Sequence, residues 1–146
     1  MTIFLGSDHA GFQLKEKIKK YLQERGEAVQ DFGAFELNEE DDYPDFIAPV
    51  AKKVAENPEQ NRGIVLGGSG QGEAIVSNRF KEVRAAVYYG GPLDIVGLSR
   101  KHNNTNVLAL GARFLTAEQA IEAVDLWLKT PFEAGRHQRR IKKLES

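Results

Sequence analysis

The run Ile64-Val65-Leu66 passes directly into Gly67-Gly-Ser-Gly-Gln-Gly72, and few architectures accept a buried apolar strand that ends in so dense a glycine turn. A short, uninterrupted run of branched residues reads as a strand covered on both faces, the kind found in parallel sheets. Runs of the same type recur along the chain and alternate with segments of helical period. That alternation is the pattern of parallel strands joined by crossover helices, so the expected class is α/β with an open, doubly wound sheet of five strands.

Strands are expected at Thr2–Gly6, Ala28–Phe32, Ile64–Leu66, Val83–Tyr89 and Val107–Leu110. A first helix is expected from Gly11 to Arg25, with Phe12, Ile18, Tyr21 and Leu22 on its inner face, lysines outside and Gly26 as its stop. The acidic stretch from Gly33 to Asp42 lacks periodicity and reads as a loop. Pro44 suits the first turn of a helix reaching Glu56. A further helix begins near Glu73, and another spans Leu93–Lys101. Thr116-Ala-Glu-Gln119 matches a capping box opening a helix through Leu128. Beyond Pro131, a basic helix over Glu133–Leu144 sets Arg136 and Arg140 four apart on one face.

The 146 residues suit a single domain, 1–146, large enough to fold without staples. Twenty lysines and arginines against 21 acids give no electrostatic reason to bind nucleic acid or a membrane surface. The chain contains no cysteine, which excludes thiol nucleophiles, disulfides and thiolate metal sites and fits a reducing compartment. Met1–Gly6 is too short and uncharged for a signal peptide, and no apolar run approaches the roughly 18 residues of a membrane span. The expected address is the cytoplasm. Three histidines without ligand spacing make no zinc site, and no metal is expected.

In doubly wound sheets ligands bind beyond the carboxyl ends of the strands, which directs attention to Ser7-Asp8-His9 and to the glycine turn with Ser69 and Glu73. His102-Asn103-Asn104 is a third polar cluster, just before the last strand. Backbone amides in a turn with glycines at 67, 68, 70 and 72 can surround an anion, and a helix starting there adds its dipole. The turn is neither a Walker A loop, since Gly72-Glu73-Ala74 stands where Gly-Lys-Ser/Thr is needed, nor a dinucleotide fingerprint. Each feature also has an ordinary explanation. Such a turn serves as a plain connection, Glu73 as a helix-dipole partner, Asp8 as a cap, the histidines as polar surface and the C-terminal arginines as a solvated face.

Taken together, Gly6-Ser-Asp-His-Ala-Gly11, Asp42-Tyr-Pro-Asp45, Gly67-Gly-Ser-Gly-Gln-Gly-Glu73, His102-Asn-Asn104 and Gly135-Arg-His-Gln-Arg-Arg140 resemble the type B ribose-5-phosphate isomerases, whose superfamily includes the galactose-6-phosphate isomerase subunits. The blocks extend over nearly the whole chain. The resemblance implies a Rossmann-like three-layer sandwich, a homodimer or tetramer with the C-terminal helix on a partner subunit, and active sites at the subunit interface without metal or organic cofactor. It implies interconversion of an aldose phosphate and its ketose, ribose 5-phosphate above all, in the pentose phosphate pathway; allose, galactose or tetrose phosphates and a non-catalytic sugar-phosphate sensor are the alternatives.

By the same resemblance Asp8, His9 and Tyr43 belong to the substrate site. Gly68, Ser69, Gly70, Gln71 and Gly72 hold the enediolate, and His102 opens the sugar ring. Asn103, Arg113, Arg136 and Arg140 complete substrate and phosphate binding. Many relatives carry a catalytic cysteine where this chain has Gly67; the sequence resembles instead the branch in which the glutamate ending the loop, here Glu73, is the base. A carboxylate suits that task, because it can relay a proton between adjacent carbons of an enediolate.

Overall fold

In the computed structural model, which describes residues 1–145, the first apolar run forms strand β1 (Thr2–Ser7) and passes through a 3-10 turn, His9–Gly11, into helix α1 (Phe12–Glu24). Gly26, at φ +78, reverses the chain after α1, a conformation that costs glycine little. Strand β2 (Val29–Asp31) and an irregular segment lead to α2 (Pro44–Glu56), which starts at the proline as expected. Strand β3 (Asn61–Gly67) ends in the glycine turn, followed by α3 (Gln71–Ser77), β4 (Ala85–Tyr88) and α4 (Asp94–Asn103). Strand β5 (Val107–Gly111), α5 (Ala117–Lys129) and α6 (Arg136–Leu144) complete the order.

All five strands pair in parallel, in the order β2-β1-β3-β5-β4. Leu5 lies opposite Ile64, which lies opposite Leu108, so the three central strands share one apolar face. One core joins that face to Ile18 and Leu22 of α1, Val96 of α4 and Val124 and Trp127 of α5. The other packs Phe4, Val65 and Ala109 against Ile47, Val50 and Val54 of α2 and Ala74 of α3. Full burial of each such aliphatic side chain contributes about 1.5–3 kcal/mol, which is why the branched runs select the sheet interior. The result is the expected three-layer α/β sandwich.

Three local expectations needed correction. Tyr21 is not on the inner face of α1; its hydroxyl donates to Asp125 at 2.6 Å, while Leu14 and Lys15 are buried in its place. Lys15 breaks the lysine-covered outer face because Asp31, 2.6 Å away, gives its ammonium a buried partner. The last helix begins at Arg136 rather than Glu133, since Ala134 and Gly135 both take positive φ and interrupt the helical path. The capping box is present as expected: the Gln119 amide donates to Thr116 Oγ1 at 3.1 Å and the Thr116 amide to Gln119 Oε1 at 2.9 Å.

Candidate active site

The chain leaves β1 toward α1 on one face of the sheet and leaves β3 toward α3 on the other. Between the carboxyl ends of these neighbouring strands a crevice opens, the place where such folds bind ligands. Ser7-Asp8-His9 and Gly67–Glu73 meet there. Asp8 does serve as a cap, its Oδ1 accepting from the Ala10 and Gly11 amides at 3.0 and 3.3 Å, yet it also lines the cavity beyond the turn.

That cavity measures about 330 Å³. Gly68, Ser69, Gly72 and Glu73 of the turn line it together with Asp8, Tyr43, Arg113 and Phe114. Gly70, at φ +82, makes the left-handed step that ends β3 and starts α3. The Ser69 hydroxyl accepts the Gln71 amide at 3.3 Å, which fixes the turn and leaves the hydroxyl proton free to be donated. The Gln71 side chain itself points to solvent.

Glu73 is 4% exposed, a rare state for a glutamate without a cationic partner. Its carboxylate folds back against the turn so closely that a Cβ built on Gly67 would collide with it. The carboxylate therefore occupies the space a side chain at position 67 would fill. Burial raises its pKa above the ordinary glutamate value, and the nearby Asp8 charge adds to the rise, while backbone amides at Glu73 and Gly70 oppose it. A base of raised pKa accepts a proton more readily near neutrality.

The other predicted residues lie elsewhere. His102 and Asn103 end α4, which runs antiparallel to the strands and delivers them to the amino end of β5; across the five residues of that strand the two ends of the sheet are roughly 16 Å apart. There His102 and His137 stack, ring centroids 4.4 Å apart at 16°. Glu133 Oε1 lies 3.8 Å from one Nε2 and 3.9 Å from the other. Arg140 lines the same cavity of about 360 Å³ with both histidines and Asn103; Arg136 is exposed beside it.

A buried scaffold holds this second cluster. Arg100 Nε donates to the Thr130 carbonyl at 3.1 Å, and its Nη1 donates to Asn104 Oδ1 at 3.0 Å and to the Thr105 carbonyl at 2.5 Å. Burial pushes the Arg100 guanidinium down to about 10, with Arg62 and Arg84 contributing. Trp127 Nε1 donates to Thr105 Oγ1 at 3.0 Å, closing the turn behind His102. His137 is held below its ordinary pKa, first by burial and then by His102, Arg136 and Arg140.

Two acid–histidine groups have donor atoms close enough to suggest a cation: Asp8, His9 and Asp41, and His102, Glu133 and His137. In the first, the short His9–Asp41 contact of 2.7 Å is a proton-sharing hydrogen bond. In the second, stacked rings direct their nitrogen lone pairs in parallel, whereas coordination requires them to converge.

A family model described as Ribose/Galactose Isomerase matches residues 3–144. The chain belongs to that family. Ribose-5-phosphate isomerase B of Mycolicibacterium paratuberculosis is 42% identical over 142 residues, covering 97% of this chain and 87% of the relative. The Escherichia coli protein of the same name is 44% identical over 139 residues, covering 95% and 91%. Among solved structures, ribose-5-phosphate isomerase B from Mycoplasma genitalium with bound ribulose-5-phosphate has a TM-score of 0.94 at 42% identity, covering 98% of this chain and 93% of that one.

Reading the sequence alone did not single out Asp41, which holds His9, Phe114, which lines the Glu73 cavity, or Glu133 and His137, which meet His102. His137 lies on α6 between Arg136 and Arg140, but its stacking partner His102 belongs to α4 and Glu133 precedes the helix, so only the tertiary structure singles it out. Asp41 lies in an aperiodic acidic segment, where spacing carries no signal.

Proposed function

We propose that this isomerase-family chain interconverts ribose 5-phosphate and ribulose 5-phosphate, with Glu73 moving the proton between C2 and C1. One observation carries the assignment: the Glu73 carboxylate, withdrawn from solvent and raised in pKa, faces a small cavity that it shares with the Asp8 carboxylate, the Ser69 and Tyr43 hydroxyls, the glycine turn and the Arg113 guanidinium. Abstraction of the C2 proton leaves an enediolate, whose oxygens accept hydrogen bonds from Ser69 and the Gly68–Gly72 amides; one such donor is typically worth about 2.7–4 kcal/mol in the transition state. Return of the proton to C1 gives the ketose.

The remaining steps use residues at the far end of the sheet. His102 shuttles the proton that opens the furanose ring, and Asn103, Arg136 and Arg140 bind the sugar and its phosphate, with His9 and Arg113 opposite them. Because one chain separates these groups from Glu73 by the length of its strands, the site is completed by a second subunit whose α4 and α6 ends cover the cavity. The enzyme is thus a homodimer at least, and it works in the cytoplasm on phosphorylated sugars. No helix among the described residues is long and apolar enough to cross a membrane.

The test is turnover on ribose, allose, galactose and erythrose phosphates, side by side with Glu73→Gln. Activity greatest on the pentose phosphate, and abolished in the variant while substrate still protects against thermal unfolding, is the expected result. Ligand protection without turnover by the wild-type chain would mark a sensor rather than an enzyme.

A further inference from the structure

One buried carboxylate, hydrogen-bonded to the residue that follows Asp8 of the cavity, has no part in that scheme. Asp41 belongs to the irregular segment between β2 and α2, and its side chain is only 8% exposed. Its Oδ1 accepts twice from the same residue, from the His9 backbone amide at 3.1 Å and from ring Nδ1 at 2.7 Å. Its Oδ2 is buried with no hydrogen-bond partner among the described residues. An unpaired buried carboxylate oxygen works against folding. A mere tether between the segment and the 3-10 turn needs only the backbone bond and would tolerate an amide, whereas the shorter contact is made to the imidazole.

We propose that Asp41 is a positioning residue for isomerisation: by accepting the Nδ1–H it fixes the His9 ring in one orientation and, when the ring is neutral, one tautomer. Nε2 is thereby turned to the sugar phosphate as an acceptor in the neutral ring and as an N–H donor in the cationic one. This rests on the assignment of His9 to the substrate site made above. With Nδ1 taken by Asp41, the side chain is still 26% exposed, which leaves the ring open to approach. A histidine whose Nδ1–H is engaged by a carboxylate has its tautomer decided before substrate arrives. Such preorganisation lowers the ordering cost of binding.

The electrostatics agree with the geometry. The groups facing His9 are Asp8 beside it in the 3-10 turn, Asp41 from the irregular segment and Arg113 from the turn after β5. The Asp41 hydrogen bond is the largest influence and raises the imidazole pKa; the Asp8 and Asp41 charges raise it further, while burial and Arg113 oppose them. The cationic ring therefore persists to higher pH than an ordinary histidine, and its N–H makes a charge-assisted bond to a phosphate or sugar oxygen.

The experiment compares wild type, Asp41→Asn, His9→Asn and the double variant, reading kcat and KM for ribose 5-phosphate from about pH 5.5 to 9 and ring ¹⁵N shifts of His9 in the unliganded protein. Asp41→Asn keeps the shape but removes the charge. Expected are a His9 titration displaced to lower pH, a KM raised about tenfold near pH 8 with kcat nearly unchanged, and no further loss in the double variant beyond His9→Asn. Unchanged ring shifts in Asp41→Asn would overturn the proposal. So would a displaced titration with an unchanged KM profile, because His9 would then be oriented for something other than substrate. The ring shifts need no turnover, so a failure of the isomerase assignment is distinguishable: wild type would lack activity while the His9–Asp41 coupling stayed visible.

Discussion

The two ends of the sheet are built by different means. At the carboxyl end, backbone turns make a concave, shielded pocket around Glu73, and burial pushes that acid toward its neutral form. At the amino end, side chains from α4 and α6 make an open basic shelf, with His102 41% and Glu133 52% exposed at their side chains. Under the proposed roles the contrast follows from chemistry. A carbon acid needs a base stripped of water, whereas guanidinium groups that must catch a dianion work from a hydrated surface until the ligand covers them.

The strongest attempt to break this division is Glu73→Gln. A positioned general base is worth about 10²–10⁴ in rate, so kcat should fall by that factor while KM changes little. A steady-state assay decides it, and near wild-type turnover would leave the buried acid without a role. Gly67→Ala tests the same end by sterics: the new methyl must displace the Glu73 carboxylate, and a 1 Å misplacement of a reacting group can cost about 10²-fold in rate.

The division also predicts complementation. Glu73→Gln and His102→Asn should each be nearly inactive, but unfolding and refolding them together should restore activity to about one quarter of wild type, because half of randomly paired dimers hold one site with both native groups. Recovery near zero would mean that the two ends serve the same chain or different purposes. Arg140→Ala should have a smaller effect, raising KM for the sugar phosphate about 10- to 100-fold through loss of charge-assisted bonds, with inorganic phosphate inhibition weakened in parallel.

Sequence made the carboxyl end legible and the amino end only half so. Alternating apolar runs located all five strands, and the density of glycine after Leu66 marked the turn, because backbone geometry of that kind demands particular residues. Lys15 escaped because helical periodicity assigns charge to the outside, and only the tertiary contact with Asp31 makes its burial tolerable. His137 escaped because stacking against His102 joins elements 35 positions apart. Asp41 escaped for the same reason: its partner is 32 residues away, and nothing local distinguishes it from the acids around it.

The smallest predicted effect separates the two ends by stability. Glu73 has a raised pKa in the folded protein, so its stabilising contribution is complete below the carboxylate pKa of the unfolded chain and is lost as pH rises through the folded value. His137 has a lowered pKa; its contribution is complete above the unfolded histidine value and is lost as pH falls through the folded one. Glu73→Gln should therefore raise Tm by a few degrees at neutral pH, with the gain disappearing below about pH 4. His137→Asn should do the reverse, narrowing any deficit or producing a gain near pH 5 that is absent at about pH 8. Calorimetric Tm profiles of the two variants should thus diverge from wild type in opposite directions of pH, and parallel profiles would show that burial of charge does not distinguish the pocket from the shelf.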